Sequence, residues 1–402
     1  MSENPMQGLA DDTKSPAAAQ VRLAPDPVTR YADSIKFYRS VSPFRAKGTF
    51  MILQSPSHGG AIDAAAEKYG IAAPDWLDLS TGINAKAWPI AAIDAIHWQR
   101  LPLASELDAL KQAAADYYGI SHPNQIACAP GTQALIQTIP FWFADQDRTA
   151  TVHIIGPTYA EHALGWKRAG FRTETVTTTP ENRVSNMADI LQSPGGRDDI
   201  VILVNPNNPD GGLIDQTTLT ELAQLATEHG KWLLIDEAFM DCSPEYSICR
   251  QSHKFERMIV LRSFGKFFGL AGLRLGCAVM PPELAAALTD RIGPWAIAGP
   301  ALTIARAAFE DLVWQTDMRH QLSIDANRLD NLIASLTDLE RVGGTILFRL
   351  YHGKNAAKLA HHLGTQGILV RLFDDHADRI RFGLPGTEKD WIRLEKALAA
   401  GP

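Results

Sequence analysis

A few short segments carry side chains whose types and spacing could do covalent or acid–base chemistry. Ser263-Phe264-Gly265-Lys266 sets an amine three residues after a hydroxyl, just behind the apolar run 258–261, and Gly272-Leu273-Arg274-Leu275-Gly276 follows. A lysine amine held beside cationic groups or out of water loses proton affinity and becomes an imine-forming nucleophile. The same Ser-x-x-Lys spacing serves serine hydrolases, although no nucleophile elbow surrounds Ser263. Asp236, in Ile235-Asp236-Glu237-Ala238-Phe239, closes another apolar run, which is where ligand sites of open α/β sheets gather. Asn205-Pro206-Asn207-Asn208-Pro209-Asp210-Gly211 follows a third run and is strong turn chemistry in its own right. Gly131-Thr132-Gln133 heads an apolar helical stretch, and free N–H groups at such a helix start favour an anion.

These side chains need a frame. Apolar, β-branched runs at 152–155, 200–204, 232–235, 258–261 and 276–280 suit strands buried on both faces, and helical patterns such as 217–229 separate several of them. The economical architecture is an α/β fold with a mainly parallel sheet. After Pro300 the texture changes: one long helical stretch, 302–336, precedes strand-like segments at 345–350, 368–373 and 379–384. The expectation is therefore a large domain over 101–295, a smaller α+β domain over 296–402, and a segment 51–100 joining the small domain to the active site. Residues 1–50, rich in Ala, Pro, Asp and Ser, read as a flexible extension, and Met51 is a candidate start.

Composition narrows the function. The formal net charge of -7 over 402 residues argues against a nucleic-acid surface, which needs a clustered basic excess. The four cysteines, Cys128, Cys242, Cys249 and Cys277, show neither a CxxC pair nor a metal spacing. They read as reduced thiols of a cytoplasmic protein with no metal site. No apolar run approaches the length of a membrane span.

In order and interval, the motifs between residues 58 and 384 resemble the class I/II aminotransferase superfamily, whose fold is the type I pyridoxal 5′-phosphate (PLP)-dependent transferase fold. The resemblance implies PLP carried on Lys266 as a Schiff base. Ser263, Arg274 and the Gly131-Thr132-Gln133 loop would hold its phosphate. Asp236 would pair with the pyridine nitrogen and Asn208 with the phenolic oxygen. Tyr159, in Pro157-Thr158-Tyr159, would stack on the ring. Leu101 stands where many relatives place a tyrosine that reaches a neighbour's cofactor, and Phe239 also replaces a common tyrosine. A homodimer is implied, because such sites usually sit at a subunit boundary.

Within that superfamily His58-Gly59-Gly60, Tyr69-Gly70-Ile71, the run Trp76-Leu77-Asp78-Leu79-Ser80-Thr81-Gly82-Ile83-Asn84, and Gly293-Pro294-Trp295-Ala296 resemble the threonine-phosphate decarboxylases of cobalamin biosynthesis, with Ala85 as a departure. The resemblance implies conversion of L-threonine O-3-phosphate to (R)-1-amino-2-propanol O-2-phosphate and carbon dioxide. Arg381, a planar fork suited to an oxyanion, would hold a substrate carboxylate or phosphate, and His58, Gly82 and Asn84 would complete the pocket. Two other readings stay open: a histidinol-phosphate or related aminotransferase, and a PLP-binding partner of a cobinamide-synthesis enzyme. Which bond at the α-carbon stands perpendicular to the cofactor ring separates decarboxylation from amino transfer.

Overall fold

In a computed structural model, residues 58–146, 148–373 and 376–401 are described. The expectations for residues 1–50 and for Met51 lie outside them. In chain order the strands are β1 (Leu77–Asp78), β2 (Ile126–Ala129), β3 (Thr151–Gly156), β4 (Arg172–Thr177), β5 (Ile200–Val204), β6 (Trp232–Asp236), β7 (Met258–Ser263), β8 (Gly276–Val279), β9 (Glu340–Thr345), β10 (Phe348–His352), β11 (Ile368–Leu369), β12 (Arg371–Phe373) and β13 (His376–Gly383).

Seven of these form one sheet in the order β2-β8-β7-β6-β5-β3-β4. All its strands run in the same direction except β8, which is antiparallel to both β2 and β7. Side chains of a strand alternate between faces, and both faces are covered here. Ile200, Ile202 and Leu234 pack with Leu135, Ile139 and Trp166 on one side. Val201, Leu203 and Leu233 pack with Leu110, Leu191 and Leu219 on the other. That double burial explains why the central strands read as unbroken apolar runs. Strand β4, Arg-Thr-Glu-Thr-Val-Thr, has no such run because it is an edge strand with one partner and half-exposed side chains.

The carboxyl-terminal part departs from the expected pattern in three places. The helical stretch 302–336 is two helices, Gly299–Glu310 and Leu312–Leu336. Asp311 breaks it: its carboxylate accepts the Trp314 backbone N–H at 3.0 Å and the Trp88 indole N–H at 3.1 Å, a capping arrangement that ends one helix and starts the next. Residues 345–350 are not one strand but the end of β9, a two-residue turn at Ile346 and Leu347, and the start of β10, the tip of a hairpin. Residues 368–373 divide at Val370, so that β11 pairs with β1 in parallel while β12 joins the sheet β12-β13-β10-β9. Through β1 the segment before residue 100 is stitched to the carboxyl-terminal part.

The topology gathers the candidate residues. Strands β2, β3, β5, β6 and β7 point the same way, so the loops leaving their carboxyl ends share one edge, the usual ligand edge of such sheets. Gly131, Tyr159, Asn208, Asp236 and Lys266 follow or end those strands.

Candidate active site

Two cavities of about 280 and 380 Å³ meet at this edge and share His58, Tyr159, Asn208, Phe239 and Lys266 in their walls. The larger is lined by Gly131, Thr132, Gln133, Asp236, Ser263 and Arg274. The smaller is lined by Gly82, Arg371, His376, Arg379 and Arg381. Lys266 stands on the boundary, on the short helix Phe264–Phe267 that follows β7.

Burial pushes the Lys266 amine down to about 8, helped by the nearby charges of Arg381 and Arg274 and opposed by Asp236. Its side chain still opens onto both cavities. At neutral pH roughly one lysine in ten would then carry a free lone pair. Phe239 lies beside it, with Nζ 5.5 Å from the ring centroid. A methyl group on Gly82 would come within 2.8 Å of that phenyl ring and 3.0 Å of Phe348, so the ring is accommodated only because residue 82 has no side chain.

Asp236 is buried at the end of β6. Its Oδ2 meets His162 Nε2 at 2.9 Å and its Oδ1 accepts the Ala238 N–H at 3.0 Å. His162, also buried, was not anticipated from sequence; a histidine one turn after Tyr159 at a helix start carries no local signal. Tyr159 donates to Gln133 Oε1 at 3.1 Å, and burial, with Glu161 and Asp236, lifts its phenol to about 12. It stays protonated at any physiological pH.

The start of the Thr132–Ala144 helix packs against Arg274 only because of glycine. Gly131 has φ +92°, and a Cβ there would collide with the Arg274 guanidinium; one on Gly276 would collide with the Thr132 backbone. Arg274 thus lies over the start of the Thr132–Ala144 helix. Ser263 lines the same cavity.

Arg381 is buried and crosses from β13 to both neighbouring segments. Nη1 donates to Asn208 Oδ1 at 2.6 Å and Nη2 to the Ser80 carbonyl at 2.9 Å, while Nε is buried without a partner. Burial and the charge of Arg371 pull its guanidinium down to about 10. No carboxylate among the described residues lies within ion-pair distance of it. An arriving anion would relieve that penalty.

Two arginines of this cavity, Arg371 and Arg379, were not anticipated. Arg379 and Arg381 sit two residues apart on β13 and Arg371 is the cross-strand partner of Arg381, so the Arg-Ile-Arg alternation was the available signal. Asn84 is placed differently from expectation. Its amide donates to the Phe267 carbonyl at 3.0 Å and accepts from Lys86 N at 2.9 Å, and its N–H holds the Lys266 carbonyl at 3.0 Å. It lines neither cavity and instead fixes the helix that carries Lys266.

Residues 74–396 match the family model described as aminotransferase class I and II. The chain belongs to that family. Two members are threonine-phosphate decarboxylases: one from Pseudomonas aeruginosa, 39% identical over 85% of this chain and 96% of its own, and one from a Sinorhizobium species, 40% identical over 85% and 97%. The crystal structure of the histidinol-phosphate aminotransferase from Clostridium acetobutylicum shares the fold, with a TM-score of 0.68 at 22% identity over 81% of this chain and 98% of that one. The class I and II fold is thus established for the chain, and the geometry above is what this chain makes of it.

Proposed function

We propose that this protein is a PLP-dependent carboxy-lyase that converts L-threonine O-3-phosphate to (R)-1-amino-2-propanol O-2-phosphate and carbon dioxide for cobalamin biosynthesis. The two relatives near 40% identity bear the name of that activity. The structural observation that carries the reading is the lining of the smaller cavity, where Arg371, Arg379 and Arg381 gather three guanidinium groups beside His58 and His376. Guanidinium forks suit a small substrate with two anionic groups, a carboxylate and a phosphate.

The larger cavity fits the cofactor. Gly131, Thr132, Gln133, Ser263 and Arg274 would take its phosphate at the helix start, Asp236 would hold a proton on the ring nitrogen, Asn208 would meet the ring oxygen, and Tyr159 would cover one face. When bound, PLP supplies a conjugated system that accepts the electron pair left on the α-carbon as carbon dioxide departs.

The chain's own residues then divide the work. His162 holds the Asp236 carboxylate in place from behind. Lys266, at the boundary of the two cavities, would hold the cofactor through its amine until the substrate amine replaces it, and the freed lysine would then return a proton to the α-carbon. The arginines would hold the two anions of the substrate so that the bond to the carboxylate, not that to the α-hydrogen, is the one aligned for cleavage. Arg381 takes the anion nearest Lys266, since its direct partners are an amide oxygen and a carbonyl and no carboxylate touches it.

The reading extends to a homodimer: Leu103 and Trp295, 50% and 61% exposed, border an apolar cavity of about 370 Å³ that a second copy would cover. It places the enzyme in the cytoplasm, a setting that suits four buried unbridged thiols, two of them, Cys128 and Cys277, directly opposed across β2 and β8.

The deciding experiment is carbon dioxide release from L-threonine O-3-phosphate by PLP-loaded protein without a keto acid, with Lys266→Ala alongside. Release by the wild type and none by the variant is expected. Amino transfer from histidinol phosphate to 2-oxoglutarate, without decarboxylation, would overturn the substrate and keep the fold.

A further inference from the structure

One buried carboxylate near the two cavities lines neither. Glu161 is only 4% exposed and opens the Glu161–Arg168 helix. Its Oε1 meets His58 Nε2 at 3.0 Å; its Oε2 accepts from Gln133 Nε2 at 2.8 Å and from Gln137 Nε2 at 3.0 Å, with Arg168 Nη1 at 3.9 Å. The network continues from Gln133, whose Oε1 accepts the Tyr159 hydroxyl. Tyr159 in turn lies against His58, ring centroids 5.8 Å apart. His58 and Tyr159 belong to the walls of both cavities, and Gln133 to the cofactor cavity.

We infer that Glu161 is a positioning residue that sets, from one carboxylate, both the His58 imidazole on the substrate side and the Gln133–Tyr159 pair on the cofactor side. The inference rests on the substrate reading above for its His58 half only.

Donor and acceptor chemistry suits a carboxylate at this position. Gln133 and Gln137 both present NH₂ groups to Oε2, and a carboxylate accepts at both oxygens without offering a proton. The imidazole must therefore donate through Nε2, which leaves Nδ1 as the atom directed elsewhere. A neutral amide at 161 could still turn its oxygen to Gln133 and Gln137, but its NH₂ would then face His58 and force the imidazole to accept through Nε2, and the bonds from both glutamines would lose the charge that strengthens them. The start of a helix is also where a buried negative charge is best tolerated. Each side chain held this way gives up its rotamer freedom in advance of ligand binding, so the expected signature is affinity and not the rate of bond breaking.

The test is Glu161→Gln in the PLP-loaded full chain, read three ways. Affinity of the apoprotein for PLP, followed by absorbance, should fall about tenfold or more, and KM for L-threonine O-3-phosphate should rise about as much, the size expected when hydrogen bonds to a charged group are lost. With PLP saturating, kcat should stay within about twofold. In a double-mutant cycle with His58→Asn, the KM effects should not add, because both substitutions break one pair.

The exchange variant Glu161→Gln/Gln137→Glu returns the negative charge to the same cluster, within reach of Gln133, while touching neither cavity. It should recover PLP affinity and leave KM raised, because His58 then faces a neutral amide. This variant carries the test where Glu161→Gln alone does not fold. Unchanged PLP affinity and KM, additive effects with His58→Asn, or a fall in kcat at constant KM would each overturn the inference. If the wild type releases no carbon dioxide from threonine phosphate, the substrate reading fails, while PLP affinity of the two variants still decides the role of Glu161.

Discussion

Charge is buried in two different ways in this molecule. Arg262, on β7 one residue before Ser263, is fully enclosed: Nη1 donates to Glu237 Oε2 at 2.6 Å and to Ser247 Oγ at 3.1 Å, Nη2 pairs with Asp241, and the guanidinium lies 4.4 Å from the Tyr118 ring centroid. Burial alone would push its pKa down, but Asp241 and Glu237 together drive it above the ordinary arginine value. Arg381 is buried to a similar degree yet meets only an amide oxygen and a carbonyl, and its pKa falls to about 10. A buried cation that is already neutralised is framework; one held by dipoles, with Asp78 attracting it from outside ion-pair distance, is one that an anion would still stabilise. Full-length arginines of equal burial are thus told apart by their partners, not by their depth.

The largest expected effect breaks the first half of that contrast. Arg262→Met leaves Glu237 and Asp241 buried without their cation and should cost about 3–5 kcal/mol of stability, read from the midpoint of chemical denaturation, with activity lost only as the fold is lost. Arg381→Ala should do the opposite. This truncation loses hydrogen bonds to two neutral partners but strands no carboxylate in contact, so the denaturation midpoint should fall much less than in Arg262→Met, while kcat/KM for threonine phosphate should fall about a hundredfold, the scale of roughly 3 kcal/mol for stranding a buried anion. A large stability loss in Arg381→Ala would mean that its charge is structural after all.

How much of this contrast was legible beforehand depended on whether a residue's role is local. Lys266 and Asp236 end or follow apolar runs, and their neighbours in sequence are also their neighbours in space. The central strands were legible for the same reason, since burial on both faces writes itself into consecutive residues. Asn84 was placed in the substrate pocket because its motif was read as a unit, but its amide reaches Phe267, 183 positions away. His162, Glu161 and Arg371 acquire meaning only when the β3 loop and β12 are brought to the shared edge. The break at Asp311 was hidden because both helices share one periodicity and a single capping side chain separates them. Strand β4 was hidden because an edge strand has no need of an apolar run.

A titration sharpens the contrast from the side of Lys266. Its amine sits near 8 through burial first and then through Arg381 and Arg274. A lysine pKa depressed in this way means that the reactive neutral form is lost as pH falls. The rate at which apoprotein takes up PLP covalently should therefore drop about tenfold per pH unit below 8 and level off above it. In Arg381→Ala one of the cations opposing protonation is gone, so the bend should move to higher pH. A bend that stays in place would show that Arg381 does not act on Lys266 through its charge.

The smallest effect belongs to a third kind of charge. Arg328 and Glu388 form a two-pronged pair, 2.6 Å on each prong, but on the surface, and Arg328 also lies 4.4 Å from the Trp391 ring centroid. The guanidinium holds the Glu388 carboxyl below its usual range, so any contribution to stability is present at neutral pH and fades as acid protonates that group. Water and salt screen such a pair. Glu388→Gln should shift the denaturation midpoint slightly at low ionic strength, less in high salt, and leave KM and kcat untouched. Equal shifts in low and high salt would mean that the pair acts through packing on Trp391. Geometry as good as that around Arg262 would then count for little where water reaches it, because what separates the three arginines is the cost of leaving each charge alone.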